Sequence, residues 1–300
     1  MERALTLVED ILLREETLYA IGDLIHNRRE IERLEGMGLH MISPGTMTEF
    51  SVAGTDSQAG FLVRCHGEIP SVITQARDCG FHIVDATCPI VKHSQEIVDQ
   101  HRRDGWGIII AAGGTDHPEV VGLMNRAEGN GVVITSREEA ETIDFEERSL
   151  LLAQTTVDPA LFDEVRHILS QRLSRLKIND TTCRFIRKRR KEILQFASQQ
   201  EVILLVGGKA SANCGLLHAT ACDVNANTFR VESPGDVDKT WLKNKTRIGI
   251  SGGASTPKWQ LEEMKSYVGN HHVEENPKGL KNRKGGTFLW RMFKKQNTKK

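Results

Sequence analysis

The sequence predicts an α/β fold of three α/β units, related by a pseudo-threefold repeat, with small and mostly parallel sheets around a central cavity. Two observations predict this fold. Short apolar runs rich in β-branched residues alternate with stretches of helical periodicity, which is typical of parallel α/β units. In addition, part of the chain is duplicated with an offset of 95 residues.

The apolar runs predict nine strands. Each run is four to eight residues long, the length expected for a buried strand. The runs are TLYAIG (17–22), FLVR (61–64), FHIVDAT (81–87), GIIIAAGG (107–114), GVVIT (131–135), SLLLAQT (149–155), EVILLVGG (201–208), FRVE (229–232) and RIGISGG (247–253).

The duplication begins with an Asp-x-Thr-Cys segment in each copy. One copy ends this segment at Cys88 and the next at Cys183. Each cysteine is followed by a charged helical stretch, an apolar strand and a pair of glycines. A polar loop follows each glycine pair, at the carboxyl end of the strand, where open parallel sheets place their ligands. The spacing is 29 residues from Cys88 to His117 and 28 residues from Cys183 to Ser211.

An earlier, third copy is recognisable from its second half. It predicts a helix over 2–16, a strand over 17–22 and a polar loop containing His26. Counting back by the same spacing from His26 places the expected thiol three or four positions ahead of Met1. Three thiols and three polar loops are therefore expected to meet at the central cavity. The predicted segments are residues 1–85, 86–180 and 181–256 for the three units and 257–300 for a C-terminal helix and basic tail.

Composition excludes several classes of protein. Lys and Arg together number 40, as do Asp and Glu, so there is no net charge to attract nucleic acid or an anionic membrane. No apolar run approaches the about 20 residues that a membrane span needs, and the first segment is too acidic for a signal peptide. Six cysteines without a C-x-x-C pair argue against a disulfide framework. A cytoplasmic protein is expected.

Short segments matching one known family occur in order from Met1 to about Pro257. They are Arg3-Ala4, Val8-Glu9, His26-Asn27-Arg28, His66-Gly67, Asp85-Ala86-Thr87-Cys88-Pro89, His117-Pro118-Glu119-Val120, Gln154-Thr155-Thr156, Cys183, Ser211 with Asn213, and Gly253-Ala254-Ser255. Any one segment is weak evidence, but the set in this order is specific. The sequence thereby resembles the 4-hydroxy-3-methylbut-2-enyl diphosphate reductases, an iron–sulfur family of the non-mevalonate isoprenoid pathway.

The resemblance implies a 4Fe-4S cluster with three cysteine ligands, two of which match Cys88 and Cys183. In the family a Gly-Phe-Cys-x-Gly-Val segment directly precedes the Arg-Ala of the first helix, and its valine falls at Met1 here. The family and the repeat therefore agree on a thiol ahead of Met1. We expect either a start site assigned too far downstream or a real loss of that cysteine.

The resemblance also implies a reaction. It is the reductive dehydroxylation of a small allylic diphosphate, 4-hydroxy-3-methylbut-2-enyl diphosphate, to isopentenyl and dimethylallyl diphosphates. Three thiolates would leave the fourth iron of the cluster open to a substrate oxygen. Ferredoxin or flavodoxin would supply the electrons singly.

Family positions assign roles to individual side chains. Those implied to bind the diphosphate are His26, His66, His117, Ser211, Asn213 and Ser255. Glu119 is implied to deliver a proton to the leaving hydroxyl, with Thr155 as relay, because a dry cavity beside a diphosphate raises a carboxyl pKa. Two departures from the family affect the expected diphosphate contacts: residues 186–190 read Ile-Arg-Lys-Arg-Arg, and Ala212 follows Ser211.

Plainer interpretations exist for the same residues. Cys88 and Cys183 could be buried packing residues, and Glu119 could complement a helix dipole after Pro118. A non-catalytic relative that binds diphosphate without a complete cluster is the alternative function. The basic runs at 184–191 and 291–300 could bind RNA, but a solvated surface and a frayed tail are expected because the chain has no net charge.

Four further cysteines lie outside the repeat positions. A lone cysteine is more often a small buried apolar residue than a ligand, so we expect no metal role for any of them. They are Cys65, Cys79, Cys214 and Cys222.

Overall fold

The computed structural model describes residues 2–14, 17–52 and 59–275. Contacts divide these residues into two compact units. Unit 1 extends to Arg184 without residues 26–30, and unit 2 consists of residues 26–30 and the chain from Phe185 onward. Unit 1 contains two sheets and unit 2 one, and every strand pair in the described ranges is parallel.

The first sheet of unit 1 is formed by the N-terminal part of the chain. Its elements are α1 (Glu2–Leu12), β1 (Leu18–Ile21), α2 (Arg28–Glu35), β2 (Leu39–Ile42), β3 (Gly60–Val63), α3 (Pro70–Asp78) and β4 (His82–Asp85). The strands lie in the order β2-β1-β3-β4. Helix α1 packs through Ala4, Val8 and Leu12, which recur every four residues and are all buried. They join Leu18 of β1 and Leu39 of β2 in one core.

The second sheet of unit 1 has the same strand order. Its elements are α4 (Pro89–Arg103), β5 (Gly107–Ala111), α5 (Pro118–Arg126), β6 (Gly131–Ile134), α6 (Arg137–Thr142), β7 (Arg148–Ala153), α7 (Pro159–Arg172) and β8 (Arg175–Asn179). The order is β6-β5-β7-β8. Strand β5 is apolar throughout because both faces are covered: Ile108 and Ile110 enter one core, and Ile109 and Ala111 enter another.

Unit 2 contains the third sheet. Its elements are α8 (Arg184–Ala197), β9 (Val202–Val206), α9 (Ala212–Cys222), β10 (Thr228–Val231), α10 (Lys239–Leu242), β11 (Ile248–Gly252) and α11 (Lys258–Glu275). The strand order β10-β9-β11 repeats the first three strands of the other sheets. All five residues of β9 are buried, as expected for a central parallel strand. Within the described ranges, no helix combines the length and apolar character that crossing a bilayer requires.

The predicted α/β class with three small parallel sheets is confirmed, and each of the nine predicted runs overlaps a strand. Two strands were not predicted, β2 and β8. Both lie at sheet edges, and only Leu39 is fully buried in β2, so neither forms an apolar run. Helix α1 ends at Leu12, earlier than predicted.

The three sheets are distributed over the predicted segments of the chain. One sheet falls inside each of the segments 1–85, 86–180 and 181–256. The boundaries themselves stay predictions. Helix α11 occupies the start of the segment 257–300, and the basic run at 291–300 lies outside the described residues.

We expect the second sheet to lose stability sharply when its central strand is truncated. Ile109 is fully buried in β5, whereas Ile178 on the edge strand β8 is 37% exposed. Ile109→Ala should lower the free energy of unfolding by about 2–5 kcal/mol because it leaves a cavity. Ile178→Ala is the matched control and should cost less than about 1 kcal/mol. Urea unfolding followed by circular dichroism measures both, and equal losses would contradict the arrangement.

Candidate functional site

In unit 1, the side chains singled out in the sequence follow the carboxyl ends of five parallel strands. His66 follows β3, Cys88 follows β4, His117 follows β5, Thr155 follows β7 and Cys183 follows β8. The loops after parallel strands project from the same edge of their sheet, which is where α/β proteins bind ligands. Parallel pairing therefore places residues that are distant in sequence at the carboxyl edges of the two sheets of unit 1.

The Asp-x-Thr-Cys segments form the same turn in both copies. The Asp85 carboxylate accepts the N–H of Thr87 at 3.0 Å, and the Asp180 carboxylate accepts the N–H of Thr182 at 3.0 Å. An aspartate that bonds the backbone two residues ahead closes a local turn. The repeated aspartate therefore shapes the turn that presents each thiol.

Each thiol is also fixed by a backbone bond to the neighbouring loop. The N–H of Cys88 donates to the carbonyl of Cys65, and the N–H of Cys183 donates to the carbonyl of Thr155, both at 2.9 Å. Both thiols are half-buried, and each directly precedes a helix, α4 for Cys88 and α8 for Cys183. Neither thiol is therefore enclosed in an apolar core, as a packing residue would be. Their role as ligands stays a prediction.

The remaining thiols have different surroundings. Cys65, Cys79 and Cys214 are buried, and Cys222 is half-buried beside His218. The Cys65 Sγ donates to the carbonyl of Leu24 at 3.0 Å, and burial raises the pKa of this thiol to about 12. It is therefore a neutral thiol at physiological pH.

His66 and His117 lie together. Their ring centroids are 5.3 Å apart in an edge-to-face arrangement. The loop carrying His66 approaches α4 closely, because a Cβ on Gly67 would lie 2.2 Å from Nε2 of Gln95. His117 precedes α5, and its Nδ1 accepts the N–H of Glu119 at 3.2 Å. This bond assigns the ring proton of a neutral His117 to Nε2, which makes Nε2 a donor.

Glu119 and Thr155 form a buried pair. Glu119 is 1% exposed. One of its carboxyl oxygens accepts the N–H of Thr155 and the other accepts the Thr155 hydroxyl, each at 2.7 Å. Burial raises the pKa of Glu119 from 4.5 to about 7, although both bonds from Thr155 favour the charged form and lower it. The carboxyl can therefore hold or release a proton near neutral pH.

Unit 2 contributes the other predicted residues. His26 and Asn27 lie against the glycine pair after β9, because a Cβ on Gly208 would lie 2.3 Å from the carbonyl oxygen of His26. The Asn27 amide donates to the carbonyl of Ser255 at 3.0 Å and exchanges two hydrogen bonds of 2.9 Å with Gln260. Asn27 thus fixes the position of Ser255.

Ser211, Asn213 and Ser255 are buried and close together. Ser211 caps α9 by accepting the N–H of Cys214 at 3.3 Å, and its hydroxyl lies 3.4 Å from that of Ser255. The Oδ1 atom of Asn213 is buried and has no hydrogen-bond partner within the described part of the chain. A flip of this amide would place an NH2 donor at the same point. Two hydroxyls and one amide at a helix N-terminus are suited to an anion.

The turn that carries Ser255 depends on residues that the sequence did not single out. The Gly253 N–H donates to the Thr256 hydroxyl at 3.0 Å, and this hydroxyl donates to the carbonyl of Val206 at 2.7 Å. On the other side, Arg189 donates to the carbonyl of Gly252 at 2.6 Å. Arg189 belongs to a basic run that was expected to be a solvated surface, and its half-buried position corrects this expectation for that residue. No local pattern distinguishes it from its neighbours.

The fold and these side chains define a class. This is an α/β protein that carries thiols, imidazoles, a proton-holding carboxyl and neutral anion donors at the carboxyl ends of parallel strands. The model of the LytB protein family matches residues 1–269. The chain therefore belongs to the LytB family.

Individual relatives agree with this assignment. The chain is 34% identical over 266 residues to the 4-hydroxy-3-methylbut-2-enyl diphosphate reductase of Bacteroides thetaiotaomicron, covering 87% of this chain and 90% of the relative. It is 30% identical over 273 residues to the protein of the same name from Clostridioides difficile, covering 90% of this chain and 95% of that relative.

Solved structures are similar as well. One is described as (E)-4-hydroxy-3-methyl-but-2-enyl diphosphate reductase, the terminal enzyme of the non-mevalonate pathway. It aligns with a TM-score of 0.65 and 30% identity over 90% of this chain and 94% of that chain. The E-1-hydroxy-2-methyl-but-2-enyl-4-diphosphate reductase from Plasmodium falciparum aligns with a TM-score of 0.76 at 20% identity, over 88% and 82% of the two chains, which supports the fold alone.

The raised pKa of Glu119 predicts a pH-dependent stability. The unfolded carboxyl releases its proton near pH 4.5 and the folded one near 7, so stability falls as pH rises through this window and is fully retained below it. Glu119→Gln cannot ionise. Between pH 4.5 and 7.5 the unmodified protein should lose up to about 3 kcal/mol more stability than the variant. Urea unfolding across this range measures the difference, and parallel profiles would contradict the prediction.

Proposed function

We propose that this protein is a reductase that removes the allylic hydroxyl of 4-hydroxy-3-methylbut-2-enyl diphosphate as water, giving isopentenyl and dimethylallyl diphosphates. One observation carries the proposal. Thr155 bonds the proton-holding carboxyl of Glu119 through its N–H and hydroxyl, and its carbonyl accepts the N–H of Cys183. Thr155 thus links the proton donor, Glu119, to the half-buried cysteine Cys183. The names of the relatives support the substrate.

Two of the described thiols have the chemistry that a 4Fe-4S cluster needs from its protein ligands. Cys88 and Cys183 are half-buried at helix N-termini and are suited to hold iron as thiolates. When bound, the cluster would supply electrons and a Lewis-acidic iron. Cys65 does not fit as a third ligand, since its thiol is neutral and bonded to Leu24.

Glu119 would protonate the leaving hydroxyl. A carboxyl with a pKa of about 7 is half-protonated at neutral pH, which is the best compromise between holding and donating a proton. The Thr155 hydroxyl lies 2.7 Å from the carboxyl of Glu119. It would give its own proton to the leaving hydroxyl and take the proton of Glu119 in return. The hydroxyl then leaves as water, and two electrons and a second proton, delivered to one or the other end of the allyl group, complete dimethylallyl or isopentenyl diphosphate. We propose ferredoxin or flavodoxin as the one-electron donor and the cytoplasm as the location.

The diphosphate would be bound by imidazole and neutral donors. The Nε2–H of His117 can donate to a phosphate oxygen, and a protonated His66 or His26 would add charge-assisted bonds, which are about twice as strong as neutral ones. Ser211, Asn213 and Ser255 would add donors at the start of α9. Their burial would keep water from competing for the phosphate oxygens.

A second candidate is a non-catalytic diphosphate-binding relative. It is favoured by one observation, which is that Cys88 and Cys183 are the two half-buried thiols that directly precede a helix within the described residues. Two thiolates are fewer than the three that such a cluster requires from its protein. The two candidates therefore differ in the iron content and turnover that they predict.

Glu119→Gln should separate catalysis from binding. The amide keeps the shape of the side chain but cannot donate the acidic proton, so turnover should fall by at least roughly 10²-fold. The affinity for the allylic diphosphate should stay within about tenfold. Anaerobic assay with a chemical one-electron reductant measures both.

Thr155→Ser keeps the hydroxyl and serves as the control for Thr155→Val, which lacks it. Normal turnover in Glu119→Gln would make Glu119 structural.

Iron content should follow the thiols. After anaerobic reconstitution, Cys88→Ser and Cys183→Ser should each hold less iron and sulfide per chain, because a ligand is lost. Cys222→Ser is the matched control and should change neither. A version with Gly-Phe-Cys-Pro-Gly-Val in place of Met1 should hold iron more firmly against a chelator than the 300-residue chain. If the 300-residue chain already holds a complete, active cluster, the third ligand is another residue, such as Cys214.

A further inference from the structure

Arg189 and Arg190 differ in burial from the other basic residues of α8. Arg184, Arg187, Lys188 and Lys191 are exposed, whereas Arg189 and Arg190 are half-buried. Arg189 donates to the carbonyl of Gly252 at 2.6 Å, at the end of β11. Burial lowers the pKa of Arg189 and the nearby Glu192 opposes this shift, but the guanidinium remains charged at neutral pH. A fixed positive charge therefore lies against this turn.

The turn that Arg189 contacts is the one that carries Ser255. Gly252 is followed by Gly253, at which a Cβ would lie 2.2 Å from Sγ of Cys214 and 3.2 Å from Nδ2 of Asn213. Backbone and side chains are thus packed so closely that a shift of the Gly252 carbonyl would be transmitted to Asn213 and Ser255. Arg189 bonds this carbonyl directly.

We propose that Arg189 is a positioning residue for the diphosphate. Its guanidinium holds the Gly252 carbonyl, so that Asn213 and Ser255 keep their geometry, and it adds a half-buried positive charge behind these neutral donors. This inference rests on the proposed function. Coulomb attraction grows with the charge of the ligand, so Arg189 should favour a diphosphate over a monophosphate. Ser211, Asn213 and Ser255 carry no charge of their own to make this distinction.

The neighbouring Arg190 provides a matched control. It lies on the same helix and carries the same charge, but its Nε donates to the hydroxyl of Thr220 on α9 at 3.3 Å, far along the helix from Asn213. Arg190→Gln and Arg189→Gln change the net charge equally. Only the second removes the charge behind the turn. A purely structural role for Arg189 would weaken the binding of both anions by the same factor, whereas loss of the charge should weaken pyrophosphate binding more than orthophosphate binding.

The experiment measures binding of pyrophosphate and orthophosphate to the full chain by calorimetry. Arg189→Gln should weaken pyrophosphate binding by about tenfold or more and orthophosphate binding by less, since the lost charge acts more strongly on the more charged anion. Arg189→Lys keeps the charge and should stay within about threefold of the unmodified protein. Arg190→Gln should leave both affinities within about twofold. Thermal unfolding identifies any variant that fails to fold.

The outcomes separate this inference from the proposed function. If the unmodified protein does not bind pyrophosphate, the proposed diphosphate site is wrong, and the inference falls with it. If it binds and Arg189→Gln binds equally well, only the inference is overturned. A loss as large in Arg190→Gln would also overturn it, because the effect would then come from the overall charge. Should Arg189→Gln fail to fold, Arg189→Lys decides: an unchanged preference for pyrophosphate supports the inference, and a lost preference overturns it.

Discussion

Parallel strand pairing is the constraint on which the rest of this structure depends. Every strand pair in the described ranges is parallel, so the loops that carry chemistry leave each sheet at its carboxyl edge. Parallel strands must also be covered on both faces, which requires the continuous apolar runs of β5 and β9. The same requirement thus builds the cores and brings polar loops distant in sequence to common edges.

Within that framework, one turn is used twice with different chemistry around it. Asp85 and Asp180 close equivalent turns before Cys88 and Cys183, and each thiol residue donates its N–H to the neighbouring loop. The acceptor is Cys65 in one copy and Thr155 in the other. The turn is therefore the same in both copies, but the neighbouring residue differs. It is a buried neutral thiol in one copy and a threonine bonded to Glu119 in the other.

Burial sets the properties of one titratable group in each unit, Glu119 in unit 1 and Arg189 in unit 2. Glu119 is desolvated, and the two bonds from Thr155 only partly offset this, so its pKa lies near neutrality. Arg189 keeps its charge despite burial because a guanidinium is too basic to lose its proton. One unit therefore has a group that can exchange a proton, and the other has a charge that is permanent.

The sequence by itself determined the α/β class, the nine apolar strands and the repeated Asp-x-Thr-Cys turns, because apolar periodicity and short-range turn bonds are local properties. Tertiary structure alone decided which short segments interrupted by polar residues become edge strands, as in β2 and β8, since an edge strand is defined by its partner. It also decided the contact of Arg189 with Gly252 and the raised pKa of Glu119. Both depend on burial by residues distant in sequence, which no local pattern records.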